Sequence, residues 1–545
     1  MTLSIEKSSA SMYTRDGIRL DADIYRPDNR EKLPILLMRQ PYGRSIASTV
    51  VYAHPIWYAQ QGYIVVIQDV RGRGTSEGEF NLFAHERDDG WDTLNWLMDI
   101  PDSTGEVGMY GFSYQGMTQL YAAIDRPPNL KTICPAMIAY DLYTDWAYEN
   151  GAFCLQANLG WAIQLSAETA RLKGDEVSYQ KLYGAARNLP LYDLIPASPS
   201  LLTGIDPHSF YHQWLRCYSG TESYWAQLSP KNLLQGVDLP MLHLGGWFDP
   251  YLRGTLNLYR HMKDFSVHPQ HLIIGPWSHL PWSPTVGSKD YGVKAVNGID
   301  NIQLQWFDRF LKGKYTPIRE QKSVALFEMG SNDWRYKDDL TNNQEITFYL
   351  NSNGLAHLRE DDGILTQFLS ESLSSVPDII VHDPWRPVPS SGGHNSYPGG
   401  AFERATLDNR SDVLTYTSAP LENDLSILGI VRVYCNCEAD AVSYDLCAVL
   451  SEVSPDRKVY NFTQGYIRVN SPHSPVIIPL QATSIRIAAG QRLRLSLAAS
   501  CFPAHPVNPG TGNYPHQTQL IEAQIITIKI KCQAVHGTKI ILPTA

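Results

Sequence analysis

The sequence predicts an α/β protein: a parallel sheet covered by helices on both faces, broken by a mainly helical insertion and followed by an all-β sandwich or jelly roll. Three observations carry this expectation. Near-continuous apolar runs alternate with amphipathic stretches up to residue 139 and again over 237–322, the pattern of parallel strands buried on both sides. Residues 140–236 are rich in aromatics and helix formers, including Trp146, Trp161, Trp214 and Trp225, and show no comparable strand series. Over 323–545, short β-rich runs are separated by Gly, Pro, Asn and Asp, as in antiparallel sandwiches.

The elements follow in order. Leu33 to Met38 is the first strand run and ends in Arg39-Gln40-Pro41-Tyr42-Gly43. Tyr63 to Ile67 is the second, ending in Asp69-Val70-Arg71-Gly72-Arg73-Gly74. A helix is expected over Asp89 to Met98, where apolar residues gather on one side. Val107 to Tyr110 and Lys131 to Ile138 are the next strands, with a helix over Met117 to Ala123 between them. After the insertion, Leu239 to Leu244 leads into Gly245-Gly246-Trp247-Phe248-Asp249, and Leu272 to Ile274 into Gly275-Pro276-Trp277-Ser278-His279. A helix over Asn301 to Leu311 closes this region. In the β-rich part, Asp383 to Gly400 is dense in Pro, Gly and Ser and is expected to be a long ordered loop between sheets.

Composition narrows the function. The 545 residues are 43% hydrophobic and 18% charged, with a formal net charge of −10. This is a multidomain globular chain, not a disordered one. The negative balance argues against nucleic acid or an anionic membrane surface as partner. No apolar stretch reaches the length of a membrane span. Met1 to Ser11 is polar and has no apolar signal core, so a cytoplasmic protein is expected. Eight scattered cysteines without a CxxC pair point to reduced, buried thiols. Cys435 and Cys437, two apart on a strand, are expected to pack in the core, with a metal or redox pair as the alternative. His268 and His271 have no third ligand at a telling spacing.

The chemistry centres on Val107 to Gly116. An apolar strand ends at Gly111, Ser113 sits in the turn, and a helix follows. A sharp strand–turn–helix of this kind lifts a serine oxygen clear of the backbone at the sheet edge. The alternative is an ordinary strand-to-helix turn. A serine hydroxyl needs a base to take its proton and an acid to orient the base. Ser113, Asp249 and His279 occur in that chain order, each directly after a strand run. Asp69 is the rival acid, but with Arg71 and Arg73 beside it a salt-bridged structural turn is expected. A tetrahedral oxyanion needs two donors. One is expected from the backbone N–H of Tyr114. The other is the Tyr42 phenol, unless that tyrosine is structural.

Taken together, Met38 to Gly43, Val70 to Gly78, Gly111 to Gly116, Gly245 to Asp249 and Ile274 to His279 resemble the CocE/NonD hydrolase family. This is the group of bacterial cocaine esterase, the α-amino-acid ester hydrolases, the glutaryl cephalosporin acylases and the X-prolyl dipeptidyl peptidases. Leu304 to Gly313, Phe327 to Trp334 and Asp412 to Tyr416 extend the similarity over nearly the whole chain. The resemblance implies an α/β-hydrolase domain (1–139 and 237–322), a helical cap (140–236) and a C-terminal jelly-roll sandwich (323–545). It implies Ser113, Asp249 and His279 as the catalytic triad, Tyr42 and Tyr114 as the oxyanion hole, and Trp146, Trp161 and Tyr251 as substrate-binding aromatics, with core packing of the cap as the alternative for these aromatics. The α-amino-acid ester hydrolases carry an ammonium-binding carboxylate cluster. Pro250, Tyr251 and Leu252 stand where two of its members would follow the triad acid, and Asp145 matches the remaining one. An ester with a hydrophobic or aromatic acyl group is therefore expected. Amide cleavage, as an acylase or X-prolyl dipeptidase, and a non-catalytic carbohydrate- or protein-binding chain are the alternatives. No metal or organic cofactor is needed. The expected partner is a small-molecule ester or amide, with a homodimer or higher homo-oligomer left open.

Overall fold

The computed structural model describes residues 4–29, 31–45, 49–319, 322–341, 344–368, 376–470, 475–532 and 537–544. Its centre is a ten-stranded mixed sheet. In chain order the first six strands are β1 (Ile5–Tyr13), β2 (Arg19–Pro27), β3 (Leu33–Gln40), β4 (Ile64–Asp69), β5 (Ser103–Phe112) and β6 (Leu130–Ala136). Across the sheet they run β1-β2-β4-β3-β5-β6, followed by Met241–Phe248, Gln270–Ser278, Val324–Glu328 and Asp333–Lys337. From β4 to Val324–Glu328 neighbouring strands are parallel. Every residue of β3, β4 and Met241–Phe248 is buried, which is why they read as unbroken apolar runs.

Two features of the sheet lie outside the expectations. β1 and β2 form an antiparallel pair at one edge. β1 is mostly exposed, so it shows no apolar run, and the alternation of Leu20, Ala22 and Ile24 in β2 is short. At the other edge, Val324–Glu328 pairs in parallel with Gln270–Ser278 and then in antiparallel with Asp333–Lys337. The sheet therefore runs past residue 322. A β-rich run after a helix cannot be assigned to one sheet or another by pattern alone.

Helices cover both faces. α1 (Pro55–Gln60) and Ile299–Lys312 lie on one side, sharing a core of Tyr58, Trp306, Phe307 and Leu311 with the sheet. α2 (Glu86–Leu97) and α3 (Tyr114–Ala123) lie on the other. The core there joins Leu94, Met117 and Leu120 to Trp214 and Trp225 of the insertion. That insertion is helical, led by α4 (Leu155–Leu172) and α5 (Glu176–Arg187), with a π-helix at Tyr143–Ala147.

The C-terminal part is all-β and almost wholly antiparallel, with an eleven-stranded and a three-stranded sheet. Its core is continuous with the α/β part: Trp247 and Phe248, next to Asp249, share one cluster with Val433, Leu446 and Ile485. Residues 383–400 hold no helix or strand but are pinned by bridges Gly393↔Gly400 and Pro389↔Phe502.

Candidate active site

The site lies where the chain reverses its progress across the sheet. After β3 the chain moves outward to β4, and with β5 it returns to the other side of β3. Loops leaving neighbouring strands in opposite directions open a crevice at their carboxyl ends. Tyr42 follows β3 and Ser113 follows β5. Asp249 and His279 end the next strands, Met241–Phe248 and Gln270–Ser278.

Ser113 occupies φ 60° and ψ −127°, a strained conformation for an L residue. The chain accepts it because its neighbours have no side chains to collide. A Cβ on Gly111, at φ +139°, would stand 2.5 Å from Gln115 Cβ. One on Gly116 would stand 2.3 Å from Ile138 Cγ2. Helix α3 starts immediately, at Tyr114, three residues earlier than the sequence pattern suggests. The first backbone N–H groups of a helix have no intrahelical partner, so the Tyr114 N–H is free to meet an anion at this end.

The three expected polar residues meet. His279 Nε2 is 3.1 Å from Ser113 Oγ, and His279 Nδ1 is 2.8 Å from Asp249 Oδ1. A carboxylate only accepts, so Nδ1 carries the proton and Nε2 is left to accept from the serine. Asp249 is fully buried. Burial raises its pKa, while the bond from His279 and the Tyr251 N–H pull it back down. The backbone of the acid turn is itself held: Gln481 Nε2, from the all-β part, donates to the carbonyls of Trp247 at 3.1 Å and Asp249 at 2.8 Å. Trp282 Nε1 donates to the carbonyl of His279 at 3.2 Å.

Tyr42 is part of the same cluster. Trp161 Nε1 donates to its phenolic oxygen at 3.1 Å. Burial pushes the Tyr42 pKa up to about 12, against the opposing influence of Trp161, Arg73 and Ser113. The three expected aromatics form one wall. Trp146 is 4.2 Å from Tyr251 and 5.2 Å from Trp161, ring centre to ring centre, and Tyr251 stands edge-on to His279 at 4.9 Å. Asp145 is used structurally: its carboxylate accepts the N–H groups of Tyr140 and Asp141 and a bond from Asn257.

Asp69 is a buried structural acid, but its partner is Arg44, at 2.5 Å, and not Arg71 or Arg73. Arg71 pairs with Asp16 and Asp89 instead. Proximity in sequence misleads here because the turn sends successive side chains to different sides. Cys437 Sγ lies 3.4 Å from Tyr444 OH inside the all-β core. His271 packs on Trp306. Among the described residues no group of three or more His, Cys, Asp or Glu is placed to hold a metal ion.

Two supports of the site have no signal in the sequence. The first is buried beneath α3. Glu86 accepts from the Tyr114 hydroxyl at 2.7 Å and from Arg39 Nη1 at 2.7 Å, and Arg39 Nε donates to Gln68. The second ties the three parts of the molecule together. Glu149 of the insertion meets Arg253 of the α/β part and His394, Asn395 and His505 of the all-β part. Each joins residues far apart in the chain.

Comparison with known proteins accords with this arrangement. The family model for X-Pro dipeptidyl-peptidase (S15 family) matches residues 16–281, and that for the X-Pro dipeptidyl-peptidase C-terminal non-catalytic domain matches residues 318–537. The chain is 30% identical to the cocaine esterase of Rhodococcus sp. (strain MB1 Bresler), over 98% of each chain. In fold it is similar to an aminopeptidase from a marine sediment Thaumarchaeota archaeon, with a TM-score of 0.82, 22% identity and coverage of 99% of this chain and 96% of that one. It is also similar to an α-amino acid ester hydrolase, with a TM-score of 0.80, 19% identity and coverage of 100% and 97%. A chain that shares this fold throughout and nearly a third of its residues with an esterase over its full length belongs to the CocE/NonD family of serine hydrolases.

Proposed function

We propose that Ser113 is the nucleophile of a carboxylic ester hydrolase working through an acyl-enzyme. The observation that carries this reading is the unbroken hydrogen-bonded line Asp249–His279–Ser113 at the carboxyl ends of the central strands. His279 takes the serine proton as Oγ attacks the carbonyl carbon, and the developing imidazolium is stabilised by Asp249. The carbonyl oxygen becomes an anion held by the Tyr114 N–H and the Tyr42 hydroxyl. The tetrahedral intermediate collapses, His279 returns the proton to the leaving alcohol, and water repeats the sequence to release the acid. Glu86 and Gln481 hold α3 and the acid turn in register.

The wall of Trp146, Trp161 and Tyr251 supports a hydrophobic or aromatic acyl group. Asp145 is committed to backbone N–H groups, and Pro250, Tyr251 and Leu252 follow the acid, so a substrate ammonium finds no carboxylate clamp there. A relative named for an ester substrate agrees with this choice. The second reading, amide cleavage after an X-Pro unit, is favoured by the two family models, both of X-Pro dipeptidyl-peptidases. Stopped-flow hydrolysis separates the two. Ester cleavage predicts a burst of p-nitrophenol from p-nitrophenyl benzoate and little release from Gly-Pro p-nitroanilide. Faster turnover of the anilide would replace the ester reading with the peptidase one. All eight cysteines are unpaired, which supports a reducing compartment such as the cytoplasm.

A further inference from the structure

Trp161 differs from the other aromatics of the wall. The indole N–H of Trp146 is buried and has no hydrogen-bond partner among the described residues. The indole N–H of Trp161 donates to the oxygen of Tyr42. The Trp161 ring is held against Phe210 at 5.0 Å, Trp146 at 5.2 Å and Trp214 at 6.4 Å, so the donor cannot easily swing away.

A phenol has one proton to give and lone pairs to receive. With a lone pair of Tyr42 engaged by Trp161, its proton must point elsewhere. Ser113 lies on the other side of the phenol, close enough to lower its pKa. The Ser113 proton goes to His279 Nε2, which leaves the phenolic proton for an acceptor beside Oγ, the carbonyl oxygen of a bound ester. A buried cation reinforces it. Arg73 is 1% exposed, its Nη1 donates to the Leu165 carbonyl, and its guanidinium lies 3.8 Å over the Phe80 ring. Its Nε has no hydrogen-bond partner among the described residues. Its charge bears on the Tyr42 phenol, and positive charge there makes the hydroxyl a stronger donor.

We propose that Trp161 is a positioning residue of the oxyanion hole, whose indole N–H orients the Tyr42 hydroxyl toward the carbonyl oxygen under attack. This rests on the reading of Ser113 and Tyr42 given above. It separates Trp161 from Tyr251 and Trp146, which act by their surfaces.

The test is a double-mutant cycle on the full-length enzyme, using phenyl acetate, whose acyl group is too small to press on the aromatic wall. Trp161→Phe keeps a ring and removes the N–H. It should lower the acylation rate about tenfold, the equivalent of one hydrogen bond, with KM within about twofold. In the Tyr42→Phe background the same substitution should cost less than about twofold, because the group it acts through is gone. Equal losses in both backgrounds would overturn the proposal. So would a Trp161→Phe variant that loses rate on benzoyl esters and none on acetyl esters, since Trp161 would then be only a pocket wall. If Tyr42→Phe alone leaves acylation unchanged, the oxyanion role of Tyr42 fails, and this inference falls with it. Should Trp161→Phe not fold, β-(3-benzothienyl)alanine at position 161 replaces the N–H by sulfur at nearly the same shape, and the same rates decide.

Discussion

Ser113 is held in a conformation that costs on the order of 1–3 kcal/mol, and the groups around it must supply that. Its N–H is fixed by the carbonyl of Ala136 at 2.9 Å. Below it, the Tyr114 side chain runs away from the site to Glu86, so in the proposed mechanism one residue serves two purposes: its backbone N–H meets the oxyanion and its phenol anchors the helix. Burial raises the pKa of Glu86, against the opposing charge of Arg39 and the bond from Tyr114. Tyr114→Phe removes one of the two donors from this buried carboxylate. Urea unfolding should show a loss of about 1–3 kcal/mol, and unchanged stability would mean that the contact does not anchor α3. Ser113, Asp249 and His279 were legible in the sequence because each follows a strand run and all three stand in one order. Glu86 was not, because a carboxylate at a helix start looks the same whether it is solvated or buried beneath the turn of Ser113.

At the scale of elements, the approach of α3 to β6 positions the serine. Gly116 makes it possible: an added Cβ would meet the Ala136 carbonyl at 2.8 Å as well as Ile138, and a strand backbone cannot yield. Gly116→Ala should push the start of α3 away from β6, cost about 1–3 kcal/mol and lower ester hydrolysis roughly a hundredfold through misplacement of Oγ. Near-normal kcat in a folded Gly116→Ala variant would contradict this. The central parallel strands could be read from the chain because burial on both faces leaves continuous apolar runs. The edges could not: β1 has one neighbour and a solvated face, and Val324–Glu328 looks like any strand of the domain that follows it.

At the scale of the whole molecule, the all-β part is built into the site. Gln481 holds the acid turn, and Gly399 runs so near it that an added Cβ would stand 3.4 Å from the Phe248 carbonyl. Gln481→Ala takes a donor from the Trp247 carbonyl and from the Asp249 carbonyl, which keeps the Leu252 N–H at 3.2 Å. It should lower kcat about ten- to a hundredfold with little change in KM, although residue 481 lies in the all-β part, which carries none of Ser113, Asp249 and His279. A kcat equal to wild type would reduce that domain to a clamp. Glu149 joins all three parts. Burial alone would raise its pKa, but His394 and Arg253 outweigh that and hold it well below its ordinary value near 4.5. A depressed carboxyl stabilises the fold above the unfolded value, and that contribution is lost as pH falls from about 4.5 through the folded value. Glu149→Gln should therefore be less stable than wild type at neutral pH, and the gap should close below about pH 4.5 in thermal melts. Parallel curves across that window would show that the carboxylate contributes nothing to the junction. Neither Gln481 nor Glu149 could be found from sequence, since their partners lie hundreds of residues away.

The most direct test of the account is intact-mass analysis after treatment with a fluorophosphonate, on the wild type and on Ser113→Ala. An activated serine at Ser113 predicts one phosphonyl adduct on the wild type and none on the folded variant. An adduct of equal extent on Ser113→Ala, or none on a folded wild type, would contradict it.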